Sequence, residues 1–286
     1  MSGSGAGRAV LVTGASSGLG RACVLHLAEA GFHVFAGVRR PGDGDDLAAA
    51  ASGRLTPVRV DVTDDASIAA AVKEIEAAVG DDGLWAVVNN AGVCVAAPLE
   101  CVTTEELRRQ LDTNVVGQLA VIRAFLPMLR RGRGRVVNVT SGLGSVAVPY
   151  MGAYSAAQFA KEALTDALRR ELRGFGVDVS VVRPGAIMTP IWGKVADAGR
   201  AALESVPEGV ASLYRVPFSR FLLVNERSAR ASSTTPAHFS RAVARALTEA
   251  RPRARYGVGV DVWRLSVLSR VLPDRALDRY LGAITR

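Results

Sequence analysis

A glycine-rich turn close to the start of the chain severely limits the folds open to it. An apolar run at 9–13 precedes the turn, and a helix-period segment from residue 18 follows it. The turn reads Thr13-Gly14-Ala15-Ser16-Ser17-Gly18-Leu19-Gly20. The glycines permit a tight turn, and a helix N-terminus offers free N–H groups and a positive dipole end to a phosphate. We interpret the turn as the cradle for a dinucleotide pyrophosphate; a purely structural glycine turn is the alternative.

The first 190 residues alternate short apolar runs with helix-period segments. Six runs predict strands, at Ala9–Thr13, His33–Gly37, Leu55–Val60, Leu84–Asn89, Arg135–Thr140 and Asp178–Arg183. Helices are predicted at Gly18–Ala30, Ser67–Val79, Glu105–Arg131 and Ala153–Phe175. Continuously apolar strands with helices between them are typical of a parallel sheet covered on both faces. The pattern predicts an α/β fold with a doubly wound parallel sheet, the Rossmann fold. Pro127 should kink or end the third helix.

The pattern changes after residue 190. Residues 191–236 mix glycine, proline and serine with isolated aromatic residues and show no clear period. The aromatic residues are Trp192, Tyr214, Phe218 and Phe221. A helix is predicted at Pro236–Ala250 and a last strand at Arg255–Val260. We interpret residues 1–286 as one domain, with a dinucleotide-binding core at 8–190, a substrate lid and helices at 191–250, and a last strand and tail at 251–286. An ordinary loop that runs over the protein surface, with no role in covering a pocket, is the alternative to a lid.

The basic balance of the chain raises nucleic acid as a partner. The formal net charge is +8, but the arginines are spread along the whole chain. The densest basic run, at 130–135, lies where a helix should end and a strand begin. Cations suit a helix C-terminus. We therefore interpret the run as structural and expect no nucleic-acid partner; a patch for a phosphate backbone is the alternative.

Several features bear on location. The chain has no run of about 18 or more apolar residues, so no membrane span is predicted, and residues 1–7 lack a signal segment. The three cysteines, Cys23, Cys94 and Cys101, are an odd number without CxxC spacing, which favours reduced thiols over a disulfide framework or a metal site. These features favour a cytoplasmic protein without a bound metal.

The apolar stretch at 262–272 carries interspersed Arg264 and Arg270. Such a segment is compatible with contact to a membrane surface. Packing over a pocket mouth or against a partner subunit is the interpretation we prefer.

Further short motifs follow the glycine turn in a fixed order. They are Asp61-Val62 after the third run, Asn89-Asn90-Ala91-Gly92 at the fourth, Asn114 in a helical segment, Ser141 after the fifth run, Tyr154 in the next helix, and Pro184-Gly185 with Thr189 after the sixth run. This ordered set resembles the short-chain dehydrogenase/reductase family. The stretch at 252–261 is similar to the tail of the steroid/retinol dehydrogenase branch.

The resemblance implies that a nicotinamide dinucleotide is bound by the glycine turn and by the loops after the strands. The candidate cofactor-binding residues are Gly14, Ser16, Ser17, Gly18, Leu19, Gly20, Arg39, Asp61, Val62, Asn90, Ala91, Gly92, Tyr154, Gln158, Pro184, Gly185, Ile187 and Thr189. An acidic residue after the second strand would favour NAD(H). This chain has Arg39 and Arg40 there, and Arg39 can pair with a 2′-phosphate. We therefore expect NADP(H) rather than NAD(H), with Arg40 solvated.

The resemblance also implies four catalytic positions. In the family a tyrosine donates a proton, a serine polarises the carbonyl, an asparagine holds a relay water, and a lysine four residues after the tyrosine lowers the pKa of the phenol and holds the ribose. Tyr154, Ser141 and Asn114 match these positions. The lysine position holds Gln158. This is a departure from the family pattern.

Gln158 shares a helix face with Tyr154, so its amide can still reach the ribose. It has no charge with which to stabilise a phenolate, and each pKa unit changes the phenolate population tenfold. Alcohol oxidation, which needs the phenolate as base, should therefore suffer more than carbonyl reduction. Lys161 lies about 10 Å along the helix from Tyr154. We interpret Lys161 as a solvated or interface lysine rather than a replacement.

The expected function is NADPH-dependent reduction of a ketone or aldehyde on a largely apolar substrate, with slow alcohol oxidation. The apolar preference depends on Val93, Val95, Val148, Met151, Ile187 and Met188, which could equally be core residues. The alternative is a catalytically weak or inactive dinucleotide-binding protein, a sensor or scaffold. The family's long central helices pack against a second subunit, so the resemblance implies a homodimer or homotetramer.

Overall fold

The computed structural model describes residues 7–40 and 42–284, so most of the polar segment at 1–7 lies outside the described residues. Seven strands form one sheet: β1 (Ala9–Thr13), β2 (His33–Val38), β3 (Leu55–Arg59), β4 (Ala86–Asn89), β5 (Arg135–Val139), β6 (Asp178–Pro184) and β7 (Arg255–Val258). Every pairing is parallel, and the strand order is β3-β2-β1-β4-β5-β6-β7. The prediction of a doubly wound sheet in a single domain is confirmed.

The described part of the chain contains eleven α-helices. They are α1 (Gly18–Glu29), α2 (Gly42–Ala50), α3 (Asp65–Val79), α4 (Thr104–Leu111), α5 (Gly117–Arg131), α6 (Gly152–Glu171), α7 (Ile191–Glu204), α8 (Glu208–Ala231), α9 (Pro236–Thr248), α10 (Val260–Val271) and α11 (Asp274–Ile284). None of them, within the described ranges, combines the length and the hydropathy needed to cross a membrane.

The sheet is buried on both faces because successive residues of a strand point to opposite sides. In β1, Val10 and Val12 join a cluster with helices α1 and α9, while Leu11 joins a second cluster with α3 and α5. All five residues of β1 and of β5 are buried. The continuous apolar runs in the sequence are therefore the consequence of two covered faces. This arrangement brings the carboxyl ends of all seven strands to one edge.

The helix expected at 105–131 is interrupted. It divides into α4 and α5 around a π-helical turn at Asp112–Val116. Such turns insert one extra residue into a helix and are frequent at functional sites. Pro127 does not end the helix, since α5 continues to Arg131.

The segment at 191–231, which shows no clear period in the sequence, forms helices α7 and α8. Tyr214, Phe218 and Phe221 are spaced by four and three residues, so they lie on one face of α8. Pro217 lies inside this helix and obscures the pattern. Three further helices, α2, α10 and α11, were also absent from the sequence-based expectation.

The basic run at 130–135 serves contacts within the chain. Arg131 pairs with Glu76 at 2.6 Å, and the Arg130 guanidinium lies 4.9 Å from the ring centre of Phe175. Arg135 is buried and donates to the carbonyl oxygens of residues 246 and 249 at the end of α9. These contacts agree with the structural interpretation of the run.

Candidate active site

The glycine turn lies at the carboxyl edge of the sheet and opens α1. Within the described residues, Ser17 at the N-cap makes no side-chain cap, and the first turn of α1 carries no acidic residue. The first-turn N–H groups of a helix have no intrahelical partner. A Cβ at Gly20 would lie 2.1 Å from the Gly14 carbonyl oxygen, so the turn closes only with glycine there. The turn therefore has the free donors and the close backbone approach that a pyrophosphate needs.

The loop after β4 locks this turn in place. Thr13 Oγ1 accepts hydrogen bonds from the N–H groups of Asn90 and Ala91 at 3.1 and 3.0 Å. The Asn90 side chain donates to the carbonyl oxygens of Thr13 and Gly14 at 3.0 and 3.1 Å. The side-chain amide of Asn90, a candidate cofactor ligand, is therefore engaged in holding the shape of the turn. Thr13 is therefore a positioning residue, a role that its place at the start of the glycine turn does not by itself indicate.

Arg39 and Asp61 lie at the outer end of the same edge. Burial raises the pKa of Asp61, but hydrogen bonds from Thr63 and the charges of Arg39 and Arg59 outweigh it, and the net pKa is lowered. Arg39 is exposed and forms no ion pair with any described residue, whereas the neighbouring Arg40 pairs with Asp43 at 3.4 Å. Arg39 is therefore available for an anionic ligand. Val62, the residue after Asp61, is buried.

Tyr154 and Ser141 meet where α6 passes the end of β5. The Ser141 oxygen accepts from the Leu143 N–H at 3.2 Å, and Ser141 also hydrogen-bonds the Tyr154 hydroxyl. Burial raises the pKa of Tyr154 well above its usual value, the nearby Cys94 thiol adds to the rise, and the Ser141 hydrogen bond opposes it. Tyr154 is therefore a neutral phenol over the ordinary pH range, suited to donating a proton.

Gln158 follows Tyr154 by one helical turn and is only 2% exposed. Its Oε1 atom is buried and has no hydrogen-bond partner among the described residues. A buried polar atom without a partner costs about 1–3 kcal/mol. An unpaired acceptor of this kind fits a bound hydroxyl or other donor group of a ligand. The residues present therefore fit the dinucleotide that the sequence predicts.

Lys161 is not solvated. It is 2% exposed, and its Nζ atom donates to the Val139 carbonyl oxygen at 2.5 Å. Burial lowers the pKa of Lys161 to about 8, and the charge of Glu162 opposes this. The expectation of a solvated or interface lysine is wrong, because the ammonium group lies inside the protein and bonds the last carbonyl oxygen of β5. It does not replace the family lysine at position 158.

Glu162 anchors α6 to the sheet one turn beyond Gln158. Arg183 of β6 donates to its two carboxylate oxygens at 2.7 Å each, and both side chains are buried. Thr140 and Arg255 donate to the same carboxylate. Buried pairs tolerate little displacement, because an unpaired buried charge is costly. These bonds fix the rotation and height of α6, and hence of Tyr154.

The π-helical turn has a second role beside the site. Asn114 accepts from the Val93 N–H at 2.8 Å and donates to the Val93 carbonyl oxygen at 2.9 Å. Gln110 accepts from Val95 N–H at 2.7 Å and also donates to the Val93 oxygen. The amide of Asn114, expected to hold a water, thus clamps the segment after β4, close to Gly92. Gln110 lies one helical turn before Asn114. This four-residue spacing is the only signal in the sequence that could have identified Gln110 as a site residue.

The segment after β6 is held by the C-terminal part of the chain. The Asp261 carboxylate accepts from the Ala186 N–H at 2.8 Å. A Cβ on Gly185 would lie 2.2 Å from both carboxylate oxygens, so this approach requires glycine. Further along the segment, Thr189 Cβ is 3.5 Å from where a Cβ on Gly18 would lie. Pro184 and Ile187 are buried beside it.

Helix α10 packs over the turn that follows Ser141. A Cβ added to Gly142 would lie 3.4 Å from the Val262 side chain, and the hydroxyls of Ser145 and Ser266 are 3.2 Å apart. The opposite face of α10 leaves apolar side chains exposed, namely Val260, Trp263, Val267 and Val271. The inner face therefore packs close to the site, and the role of the exposed face stays a prediction.

Helices α7 and α8 pack on the segment that leads to Tyr154. Phe218 and Phe221 are buried, and their ring centres lie 5.4 and 5.2 Å from that of Tyr150. Tyr150 itself has a φ of +66°, a conformation in which a bulky residue is strained. The Tyr214 hydroxyl donates to Glu100 at 2.7 Å. The α7–α8 unit is thus fastened to residues four positions before the candidate proton donor.

The apolar residues expected around a substrate divide into two groups. Val95 and Ile187 are buried core residues, whereas Met188 is 37% exposed. Val93, Val148 and Met151 are half-buried. Cys94, between Val93 and Val95, was missed as a site residue, although its thiol lies near enough to Tyr154 to affect its pKa.

The comparisons with known proteins agree with this geometry. The family model described as short chain dehydrogenase matches residues 8–199. The chain is 44% identical over 274 residues to 3-amino-tetrahydro-pyrrolizinone reductase of Xenorhabdus hominickii, covering 96% of this chain and 94% of the relative. It is 35% identical over 277 residues to retinol dehydrogenase 5 of Mus musculus, covering 95% and 87%. A short chain dehydrogenase from Burkholderia cenocepacia in complex with NADP is similar with a TM-score of 0.72 and 27% identity, over 98% of this chain and 99% of that one.

The contact between Asp261 and Ala186 leads to a prediction. In Asp261→Ala the Ala186 N–H loses its acceptor, the segment at 185–189 loosens, and the dissociation constant for a nicotinamide dinucleotide should rise about tenfold. Asp261→Asn retains an acceptor and should bind as the unchanged protein does. Fluorescence titration with the dinucleotide measures both. Equal losses in the two variants would contradict the positioning role.

Proposed function

The chain belongs to the short-chain dehydrogenase family, in its steroid/retinol dehydrogenase-like branch, and is an NAD(P)-dependent oxidoreductase; from that premise we propose that it reduces a ketone or aldehyde to an alcohol with NADPH. The pairing of Tyr154 with Ser141 at the end of β5 supports this function most directly. A carbonyl placed against these hydroxyls would accept a proton from one and a hydrogen bond from the other.

The protonation state of Tyr154 favours the reductive direction. Burial keeps the pKa of the phenol high, and no described cation lowers it. A neutral phenol can donate its proton to a forming alkoxide, whereas alcohol oxidation needs the phenolate as base. We therefore infer that Gln158 makes the protein a reductase with weak alcohol oxidation.

The cofactor would lie along the carboxyl edge of the sheet. The backbone at Ser16 to Gly20 would hold the pyrophosphate, Asp61 and Val62 would flank the adenine, and Arg39 would pair with a 2′-phosphate. The segments at 90–92 and 184–189 would line the nicotinamide end, and Gln158 would bond the ribose. When bound, the reduced nicotinamide supplies the hydride. NADP in the Burkholderia relative supports the choice of NADP(H).

The substrate we propose is small and largely apolar. Val93, Val148, Met151 and Met188 remain partly exposed near the site and would contact its carbon skeleton. The names of the relatives, a pyrrolizinone reductase and a retinol dehydrogenase, both support a ring-bearing organic molecule. Helices α7 and α8 would serve as the lid over it.

The alternative function is that of a dinucleotide-binding protein with little or no turnover. The observation that favours it is Gln158, because the family's charged group is missing there. Retention of Tyr154 and Ser141 in contact favours the enzyme.

Assembly and location complete the proposal. Val116 at the π-helical turn, Phe159 on α6 and Phe175 after it expose apolar side chains, which supports a homodimer or homotetramer built on these helices. The cysteines are free, with Cys23 and Cys101 buried, which supports a reducing, cytoplasmic location.

A panel of cyclic and open-chain ketones with NADPH tests the function. Tyr154→Phe removes the proton donor and should lower kcat/KM by about 10²–10⁴-fold, while NADPH still binds. Tyr280→Phe in α11 is the matched control and should behave as the unchanged protein. Steady-state consumption of NADPH and separate NADPH titration give the two readouts. A protein that binds NADPH but reduces nothing in the panel would favour the alternative function.

Adjacent arginines offer a test of cofactor choice. Arg39→Ala should lower the preference for NADPH over NADH by roughly 10–100-fold, because one or two charge-assisted hydrogen bonds to the 2′-phosphate are lost. Arg40→Ala should change this preference little, since Arg40 already pairs with Asp43. Ratios of kcat/KM for the two cofactors are the measurement. A preference for NADH in the unchanged protein would contradict the assignment.

A charge restored at position 158 should alter the pH dependence. In the unchanged protein the raised pKa of Tyr154 keeps the acid form at neutral and mildly alkaline pH, so reduction should show no alkaline decline there. Gln158→Lys should lower this pKa, shift the decline to lower pH, and raise alcohol oxidation about tenfold per pKa unit. Gln158→Met, neutral and of similar length, is the control. Oxidation that rises no more than reduction would refute the role assigned to Gln158.

A further inference from the structure

Position 158 carries an unpaired acceptor where the resemblance leads one to expect a cation. Gln158 is only 2% exposed. Its Oε1 atom has no hydrogen-bond partner among the described residues. An amide oxygen is the negative end of a dipole. A buried one that is left unpaired is stabilised by a donor or by a positive charge on a ligand.

Two buried cations near position 158, Arg183 and Lys161, are occupied elsewhere. Arg183 is paired with Glu162 through two hydrogen bonds of 2.7 Å. The Lys161 ammonium binds the Val139 carbonyl oxygen and lies next to Glu162 in sequence. In the described part of the chain, the groups that act on the Tyr154 hydroxyl are the Cys94 thiol and the Ser141 hydroxyl, both uncharged. The reactive end of the site is therefore electrically neutral and rich in acceptors.

This neutrality changes which substrates can approach. Two like unit charges about 6 Å apart, at an effective dielectric constant of about 20, disfavour binding by roughly a hundredfold. A lysine at position 158 would impose such a penalty on a cationic substrate. Gln158 removes it, and the oxygen of Tyr154 offers partial negative charge to the cation instead. A neutral carbonyl substrate gains nothing from this exchange, because it carries no charge that a lysine would repel.

We propose that this site reduces the C=N⁺ bond of a cyclic iminium ion, or of an imine that binds in its protonated form, to the amine. This rests on the proposed function, since it takes the same cofactor and the same cleft. The iminium carbon accepts a hydride, with its electron pair, from the reduced nicotinamide. The π electrons of the C=N bond become the lone pair of the amine nitrogen. The substrate is reduced, the nicotinamide is oxidised, and no proton is required from Tyr154.

Tyr154 therefore has a different role toward this substrate class. It orients the cation through its oxygen, and it is not consumed as an acid. Tyr154→Phe should lower reduction of N-methyl-3,4-dihydroisoquinolinium less than tenfold, whereas reduction of 1-tetralone, a ketone of similar size, should fall about 10²–10⁴-fold. Equal losses for the two substrates would overturn the proposal.

Binding without turnover supplies an independent readout. The probe is N,N-dimethyl-1,2,3,4-tetrahydroisoquinolinium, a permanent cation with no reducible bond, compared with its neutral carbon isostere 2,2-dimethyl-1,2,3,4-tetrahydronaphthalene. Equilibrium dialysis against the NADPH-saturated protein should show the cation binding at least as tightly as the isostere. Tighter binding of the isostere by tenfold or more would overturn the proposal, whatever the variants do.

The variants at position 158 then isolate the charge. Gln158→Lys should weaken binding of the cation by about 10–100-fold and leave the neutral isostere unchanged. Gln158→Met keeps the site neutral and should weaken the cation less than the lysine does. Thermal melts confirm that each variant is folded. Loss of both ligands alike in Gln158→Lys would overturn the proposal.

The outcomes also separate this inference from the proposed function. Reduction of ketones with NADPH but neither binding nor reduction of the cations would leave the proposed function intact and overturn the iminium substrate. Failure to bind NADPH would overturn both.

Discussion

The attachment of α6 to the edge of the sheet is the constraint on which the rest of the site depends. Lys161 binds the last carbonyl of β5, Glu162 pairs with Arg183 of β6, and Thr165 accepts a hydrogen bond from Asn138 at 2.8 Å. Each bond joins a buried polar group to a strand, and each would be costly to leave unmade. Because Lys161 and Glu162 lie about one helical turn from Gln158 and Thr165 lies about two turns from it, the phenol and the amide have little freedom to shift relative to the strand ends.

Side chains that hydrogen-bond to the backbone hold the loops of the site. Asn90 and Thr13 join the glycine turn to the loop after β4, Asn114 joins that loop to the π-helical turn, and Asp261 joins α10 to the segment after β6. Parallel strands bring these loops to one edge but do not fix their conformation, since loops lack ladder hydrogen bonds. The site is therefore rigid through paired amides and carboxylates rather than through the sheet alone.

The predictable parts of the molecule were those encoded locally. Continuous apolar runs gave the strands within a few residues, and the strand–turn–helix context gave the phosphate turn. The contacts of Gln110 and Asp261 could not be read in this way, because each joins segments that meet only after folding. Lys161 was misjudged for the same reason, since its acceptor is 22 residues away. The helical face of α8 was present as the spacing of Tyr214, Phe218 and Phe221, but Pro217 masked it.

The burial of Lys161 bears on why a neutral residue can stand at position 158. The ammonium of Lys161 is already held in the interior by one carbonyl oxygen and the nearby Glu162, and burial lowers its pKa to about 8. A second ammonium three residues earlier on α6 would add like-charge repulsion to its own desolvation, and both effects disfavour the charged forms. A glutamine at position 158 therefore spares Lys161 the like-charge repulsion that a second lysine there would add. The positive charge on this part of α6 thus lies at position 161, bonded to β5, and not at position 158 beside Tyr154. The phenol of Tyr154 therefore keeps its proton and can act as an acid but not as a base.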